Sequence, residues 1–189
     1  MRWNDCNSRR GVEAVLRLFV PDAYVPSIYA VNAEALVRKG LLGVVTDLDN
    51  TLVAWNEPEA PDKLVHWLDD LRDRGLKVCI VSNNKEVRVR PFAEQLNIPA
   101  VHEAGKPRMR AFMKALEITG THPRQTAMIG DQLFTDIAGG NRMGMYTILV
   151  VPISDKEWVG TRVMRLFERR VLRFIAPSLH RISEGEHRG

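Results

Sequence analysis

From residue 41 onward the chain repeats one pattern: a short apolar run, then an amphipathic stretch of helix length, then another apolar run. Residues 41–47 (LLGVVTD), 76–82, 99–102, 126–131 (TAMIGD) and 146–151 read as strands. The longer runs are apolar on both faces, which a strand needs only when both of its sides are covered. Residues 61–74, 85–96, 107–119 and 134–143 read as helices. In the first of these, Pro61 suits a helix start, Leu64, Val65, Leu68 and Leu71 share one face, and Gly75 suits a stop. Strands alternating with helices predict a parallel sheet with helices on both sides, a doubly wound α/β fold of the Rossmann-like kind.

The flanks differ from this core. Residues 1–40 read as a helical lead-in, with Val12, Val15, Leu16 and Phe19 at helical spacing, followed by PDAYVPSIY, where Pro21 and Pro26 break the pattern. Residues 156–189 read as a basic amphipathic helix with a polar end, which leaves 41–155 as the core domain. A chain of 189 residues fits one such domain. No apolar run approaches the roughly 20 residues that span a bilayer, and the opening MRWNDCNSRR does not read as a secretory signal. Cys6 and Cys79 are far apart and unlike a redox or zinc pair, so a reducing, cytoplasmic setting is expected.

The net charge of +4 is unevenly placed. Residues 1–155 hold 19 Lys+Arg and 19 Asp+Glu, whereas 156–189 hold 8 and 4. A neutral domain with a basic appendage is a poorer fit to a nucleic-acid binder than to some other anionic partner. Between 158 and 175, Arg162, Arg165, Arg169 and Arg173 share one helical face, opposite Val159, Val163, Leu166, Phe167, Val171, Phe174 and Ile175. Such a helix suits either an anionic bilayer surface, as a peripheral contact on the inner membrane face, or packing on the domain itself.

In open α/β sheets the loops at the carboxyl ends of the strands build the site. Those ends carry Asp47 and Asp49, Ser82 and Asp131, and Lys106 joins them from the loop before the third helix. Hard carboxylate oxygens suit Mg²⁺, lysine offsets phosphate charge, and a small hydroxyl donates to a phosphate oxygen. At an extended strand end residues i and i+2 point to one side, so the carboxylates of Asp47 and Asp49 can reach one phosphorus. One can attack while the other gives and then takes protons, and Thr51 can tether the loop. D-x-D alone is common in solvated turns; the preceding strand and the ordered Ser82, Lys106 and Asp131 make it specific.

Four segments, DLDNTL (47–52), VSNN (81–84), AGKP (104–107) and GDQLFTDI (130–137), resemble the four motifs of haloacid-dehalogenase-type (HAD) phosphatases, over residues 41–151. The resemblance implies an aspartyl-phosphate mechanism. Asp47 would be the nucleophile and a Mg²⁺ ligand, and Asp49 the general acid/base with its backbone carbonyl on the metal. Ser82, Asn83 and Lys106 would bind the phosphoryl group, Asp131 would complete the metal shell, and Asp136 would be an outer ligand. HAD enzymes often insert a cap domain, yet the 32 residues between Asp49 and Ser82 and the 23 between Ser82 and Lys106 leave no room for one. A capless site favours a substrate whose own bulk shields it: a lipid headgroup, a protein or a nucleic acid end. The lead-in LFVPDAYVPSIYAVNAEALVRKG resembles the YqeG-type subgroup (subfamily IIIA), related to phosphatidylglycerophosphate phosphatases. That resemblance implies an anionic lipid substrate, with a phosphoprotein, a nucleic acid end, a soluble phosphate ester, or a non-catalytic role beside a GTPase or ribosomal partner as the rivals.

Other residues carry less. His66 and His102 lack metal-ligand spacing, and Cys79 lies inside a strand and reads as a small apolar residue. Trp67 reads as packing and Trp55 as packing or a border of the site mouth. Gly139 and Gly140 read as close helix packing.

Overall fold

The computed structural model describes residues 16–154. The expected basic helix at 156–175 and the first part of the lead-in lie outside these residues. The elements run β1 (Ala23–Val25), α1 (Ala33–Arg38), β2 (Gly43–Thr46), α2 (Asp62–Asp73), β3 (Lys77–Val81), α3 (Glu86–Gln95), β4 (Ala100–Val101), α4 (Met109–Thr119), β5 (Thr126–Gly130), α5 (Ala138–Met143) and β6 (Tyr146–Val150). The sheet order is β1-β6-β5-β2-β3-β4 and every pairing is parallel. From β2 the chain winds outward through β3 to β4, then crosses to β5 and β6 on the other side. The strand order therefore reverses beside β2, where α/β folds open a crevice at the carboxyl ends.

Alternation along the strands divides the core into two layers. Val44, Val78, Ile80, Ala127, Ile129 and Ile148 face one layer, shared with Leu64, Leu68 and Leu71 of α2, and Val89 and Phe92 of α3. Val45, Cys79, Val81 and Met128 face the other, covered by Ala111, Phe112, Ala115 and Leu116 of α4. Phe92 and Phe112 are almost wholly buried, one on each side of the sheet. Truncating either to alanine is expected to cost about 3–5 kcal/mol. A Cβ on Gly139 would come within 2.5 Å of the Phe112 ring, and one on Gly140 within 2.9 Å of the Met128 side chain. Both glycines thus let α5 approach its neighbours, as the sequence suggests.

Two local expectations change. Residues 23–25, inside the lead-in read as helical, form β1 and pair with β6. Pro21 and Pro26 stop a helix from running through, and the segment between them is held extended by Asp22, whose carboxylate accepts from the backbone N–H and hydroxyl of Thr147. Residues 134–143 are helical throughout, as expected, but not of one kind: Leu133–Ile137 form a π-helical turn that runs directly into α5 at Ala138. Among the described residues no helix is long and apolar enough to cross a membrane.

Candidate active site

Asp47 continues β2 by one residue, its backbone N–H donating to the Ile129 carbonyl at 3.0 Å. The chain then folds into a tight loop. Leu48 and Leu52 anchor it in the core, Asn50 takes a left-handed conformation (φ 63°), and the backbone N–H groups of Leu52 and Val53 donate to the Leu48 carbonyl. Asparagine tolerates that conformation better than most side chains. Thr51 tethers this loop to the end of β5, its hydroxyl donating to Asp131 Oδ1 at 3.0 Å.

At the end of β3, Ser82 Oγ accepts the backbone N–H of Asn84 at 3.1 Å, which leaves the serine proton for a ligand in the cleft. Asn83 lines the cleft beside Ser82. Its Oδ1 accepts the Lys106 N–H at 2.7 Å and its Nδ2 donates to the Lys106 carbonyl, so its amide holds the Lys106 backbone in place. Lys106 Nζ in turn donates to Asp47 Oδ1 at 2.6 Å and Asp136 Oδ1 at 2.7 Å, all three side chains being buried.

Asp136 sits on the π-helical turn and is wholly buried, and its Oδ2 also accepts the Gln132 N–H. It reaches that place because residue 130 is glycine: a Cβ there would fall 2.3 Å from Asp136 Oδ2. Asp47, Asp131 and Asp136 bring one carboxylate oxygen each within 4.8 Å of one another. Asp136 therefore stands beside Asp47 and Asp131, while the Asp49 side chain is outside the group. When ionised, three carboxylates and one ammonium leave two buried negative charges. Oxygen donors with that excess fit a hard divalent cation. Burial is the largest influence on Asp47 and pushes its carboxyl up to about 8; Lys106 pulls it down, and Asp136 and Asp131 add to the rise. Burial alone would lower the Lys106 ammonium, but Asp136 and Asp47 outweigh it and raise it.

Asp49 points along the cleft wall. Arg88 Nε donates to its Oδ1 at 3.0 Å and Asn84 Nδ2 to its Oδ2 at 3.1 Å. The cleft holds about 810 Å³ and is lined by Asp47, Asp49, Trp55, Ser82, Lys106 and Thr135, among others. Trp55 is 47% exposed at its mouth. The structure thus brings Asp47, Ser82, Lys106, Asp131 and Asp136 together, with Asp49 on the adjoining wall. Sequence reasoning gave no role to Asn84 and Gln132, although both lie inside the VSNN and GDQLFTDI segments, and it missed Arg88, which lies outside all four motifs. Cys79 is a buried free thiol, pushed up to about 12 mainly by burial, and takes no part. Trp67 is packed, its Nε1 donating to the Val31 carbonyl. His102 lies beside Glu86 and Glu103, away from the cleft lining.

Two family models match the chain: haloacid dehalogenase-like hydrolase over residues 44–106 and HAD-hydrolase-like over residues 103–152. The chain is 44% identical over 156 residues to the probable phosphatase YqeG of Bacillus subtilis, covering 82% of this chain and 91% of that one. It is 31% identical over 158 residues to the chloroplastic/mitochondrial phosphatidylglycerophosphate phosphatase 1 of Arabidopsis thaliana, covering 75% of this chain and 43% of that one. It is 28% identical over 177 residues to a mitochondrial phosphatidylglycerophosphatase of Saccharomyces cerevisiae, covering 84% and 92%. The fold is shared with an uncharacterized protein from Listeria monocytogenes serotype 4b, at a TM-score of 0.50 and 18% identity, over 62% of this chain and 85% of that one.

Proposed function

The chain belongs to the haloacid dehalogenase-like hydrolases and is a phosphatase of that family, and from that premise we propose that it removes the terminal phosphate of phosphatidylglycerophosphate at a membrane surface. Asp47, through an oxygen of its carboxylate, attacks the phosphorus. The ester P–O bond breaks, its electron pair goes to the glycerol oxygen, and Asp49 gives that oxygen a proton. Water then attacks the aspartyl-phosphate, Asp49 takes its proton, and inorganic phosphate leaves with the Asp47 carboxylate restored. Ser82 donates to a phosphoryl oxygen and Lys106 offsets phosphoryl charge while holding Asp47 and Asp136 in place. Asp47, Asp131 and Asp136, with the Asp49 backbone carbonyl, would hold Mg²⁺, which when bound offsets the repulsion between an anionic ester and the Asp47 carboxylate.

The observation that carries the lipid substrate is the likeness to a yeast phosphatidylglycerophosphatase over 92% of that protein's length. The open cleft agrees with it. Between Asp49 and Ser82 the chain forms only the loop, α2 and β3, so nothing there folds over the mouth. Val87 and Met109, both exposed, begin helices at the same end of the sheet as Trp55 and offer apolar surface to acyl chains. We assign the peripheral contact to the arginines of residues 156–175, each of which contributes about 1 kcal/mol near an anionic surface.

The test compares initial rates on phosphatidylglycerophosphate in mixed micelles with rates on a phosphopeptide, a 5′-phosphorylated oligonucleotide and a soluble phosphate ester, for the full chain and for residues 1–155. A strong preference for the lipid, reduced by the truncation, is expected. A faster rate on any of the other three would overturn the lipid assignment, and equal lipid rates for the two chains would remove the tail from it.

A further inference from the structure

Arg88 sits in the first turn of α3, and its guanidinium gathers three groups from the loop after β2. Nε donates to Asp49 Oδ1, one terminal nitrogen to the Glu57 carbonyl, and the other to the Ala54 carbonyl at 3.0 Å. The guanidinium also lies 4.6 Å over the Phe92 ring, and Phe92 is fixed in the core. Only about a fifth of either side chain, Arg88 or Asp49, is open to solvent. Asn84 takes the other Asp49 oxygen, so both oxygens are held from the β3 side of the cleft. A planar fork with several donors suits such a task, and a lysine ammonium cannot span these three acceptors in the same way.

We propose that Arg88, assisted by Asn84, is a positioning residue that sets the direction of the Asp49 carboxylate and the course of residues 49–57 beside it. This deepens the phosphatase reading above and rests on it. Arg88 touches neither the reacting phosphorus nor the metal-ligand carboxylates in the proposed mechanism. Its effect passes through Asp49, whose carboxylate must lie on the line of the leaving oxygen when the P–O bond breaks. Orientation of that kind matters most when the leaving oxygen is a poor one that needs a proton, as in an alkyl ester. It matters least for an aryl ester such as p-nitrophenyl phosphate, whose oxygen departs as a stable anion.

The test measures kcat/KM, which reports transfer to Asp47 and not the later attack of water that both esters share, for wild type, Arg88→Met, Arg88→Lys and Asn84→Ala on p-nitrophenyl phosphate and on an alkyl phosphate monoester, with Mg²⁺ present. Arg88→Met is expected to lose about 100-fold in kcat/KM on the alkyl ester, within the range that a well-placed proton donor contributes, and no more than a few-fold on the aryl ester. Arg88→Lys should recover only part of the loss. Asn84→Ala, which leaves the Ala54 and Glu57 contacts intact, should show the same selectivity at smaller size and covers the case in which Arg88→Met does not fold. Equal losses on both esters across the set, or none on the alkyl ester, would overturn the positioning role while leaving the phosphatase reading in place. A wild-type protein inactive on both esters would instead overturn that reading, and the positioning role with it.

Discussion

The buried charge beside Asp47 makes Asp47→Asn informative about more than turnover. Asparagine keeps the shape and can still accept from Lys106, but it carries no charge. In wild type the carboxyl is displaced from its ordinary value near 4 to about 8, chiefly by burial. Each pH unit of displacement corresponds to about 1.36 kcal/mol, so an ionised Asp47 penalises the metal-free fold by at most about 6 kcal/mol. The cleft opens to water, which reduces the expected value to about 2–3 kcal/mol. Because the folded value lies above the unfolded one, the contribution of Asp47 to stability is fully present below about pH 4 and is lost as pH rises through about 8. Asp47→Asn has no such loss. Urea unfolding in the presence of a chelator should therefore show the two proteins within about 1 kcal/mol of each other near pH 5. Near pH 8.5 the variant should be the more stable by the larger amount. Excess Mg²⁺ should reverse the ranking, since a cation at about 1,000 times its Kd adds about 4.1 kcal/mol to the protein that binds it. A gap that does not change with pH, or a variant less stable at pH 8.5 without metal, would mean that Lys106 fully compensates Asp47 and that the charge reasoning is wrong.

Three further outcomes test neighbouring parts of the site. Lys106→Met leaves Asp47 and Asp136 without their shared cation and should cost about 3–5 kcal/mol in chelator, read by urea unfolding; Asp136→Asn in the same background should return part of it. Gly130→Ala places a methyl group against Asp136 and should lower stability by about 1–3 kcal/mol in a thermal melt, together with a loss of Mg²⁺-dependent turnover. Asp131→Asn should remove most of the thermal stabilisation that Mg²⁺ gives wild type, and an undiminished stabilisation would place the cation elsewhere.

The central strands were legible because each is apolar on both faces, and Asp47, Ser82 and Asp131 were legible because each immediately follows such a strand. β1 was not: three residues between prolines carry no usable period, and the strand exists only through pairing with β6, whose residues lie 125 positions away. The contact of Asp136 with Lys106 was hidden for a related reason, because a π-helical turn was read as ordinary helix and its side chains then fall on different faces. Arg88 and Arg90 look alike in RVRPF. Which one faces the loop after β2 is set by the rotation of α3, and that rotation follows from burial of Val89 and Phe92 against the sheet.

The pairing of β1 with β6 also bears on how the protein is made. A ribosome delivers β1 before any other strand of this sheet, yet its one partner is the last strand to emerge. Until then Asp22 has no Thr147 to engage, and the waiting segment must stay unpaired while β2, β3 and β5 assemble. Parallel pairing over so long a separation is slow to form. Emergence of β6, more than the synthesis of any single motif, should therefore time the completion of the sheet, and a nascent chain arrested before residue 146 should remain protease-sensitive at residues 21–26.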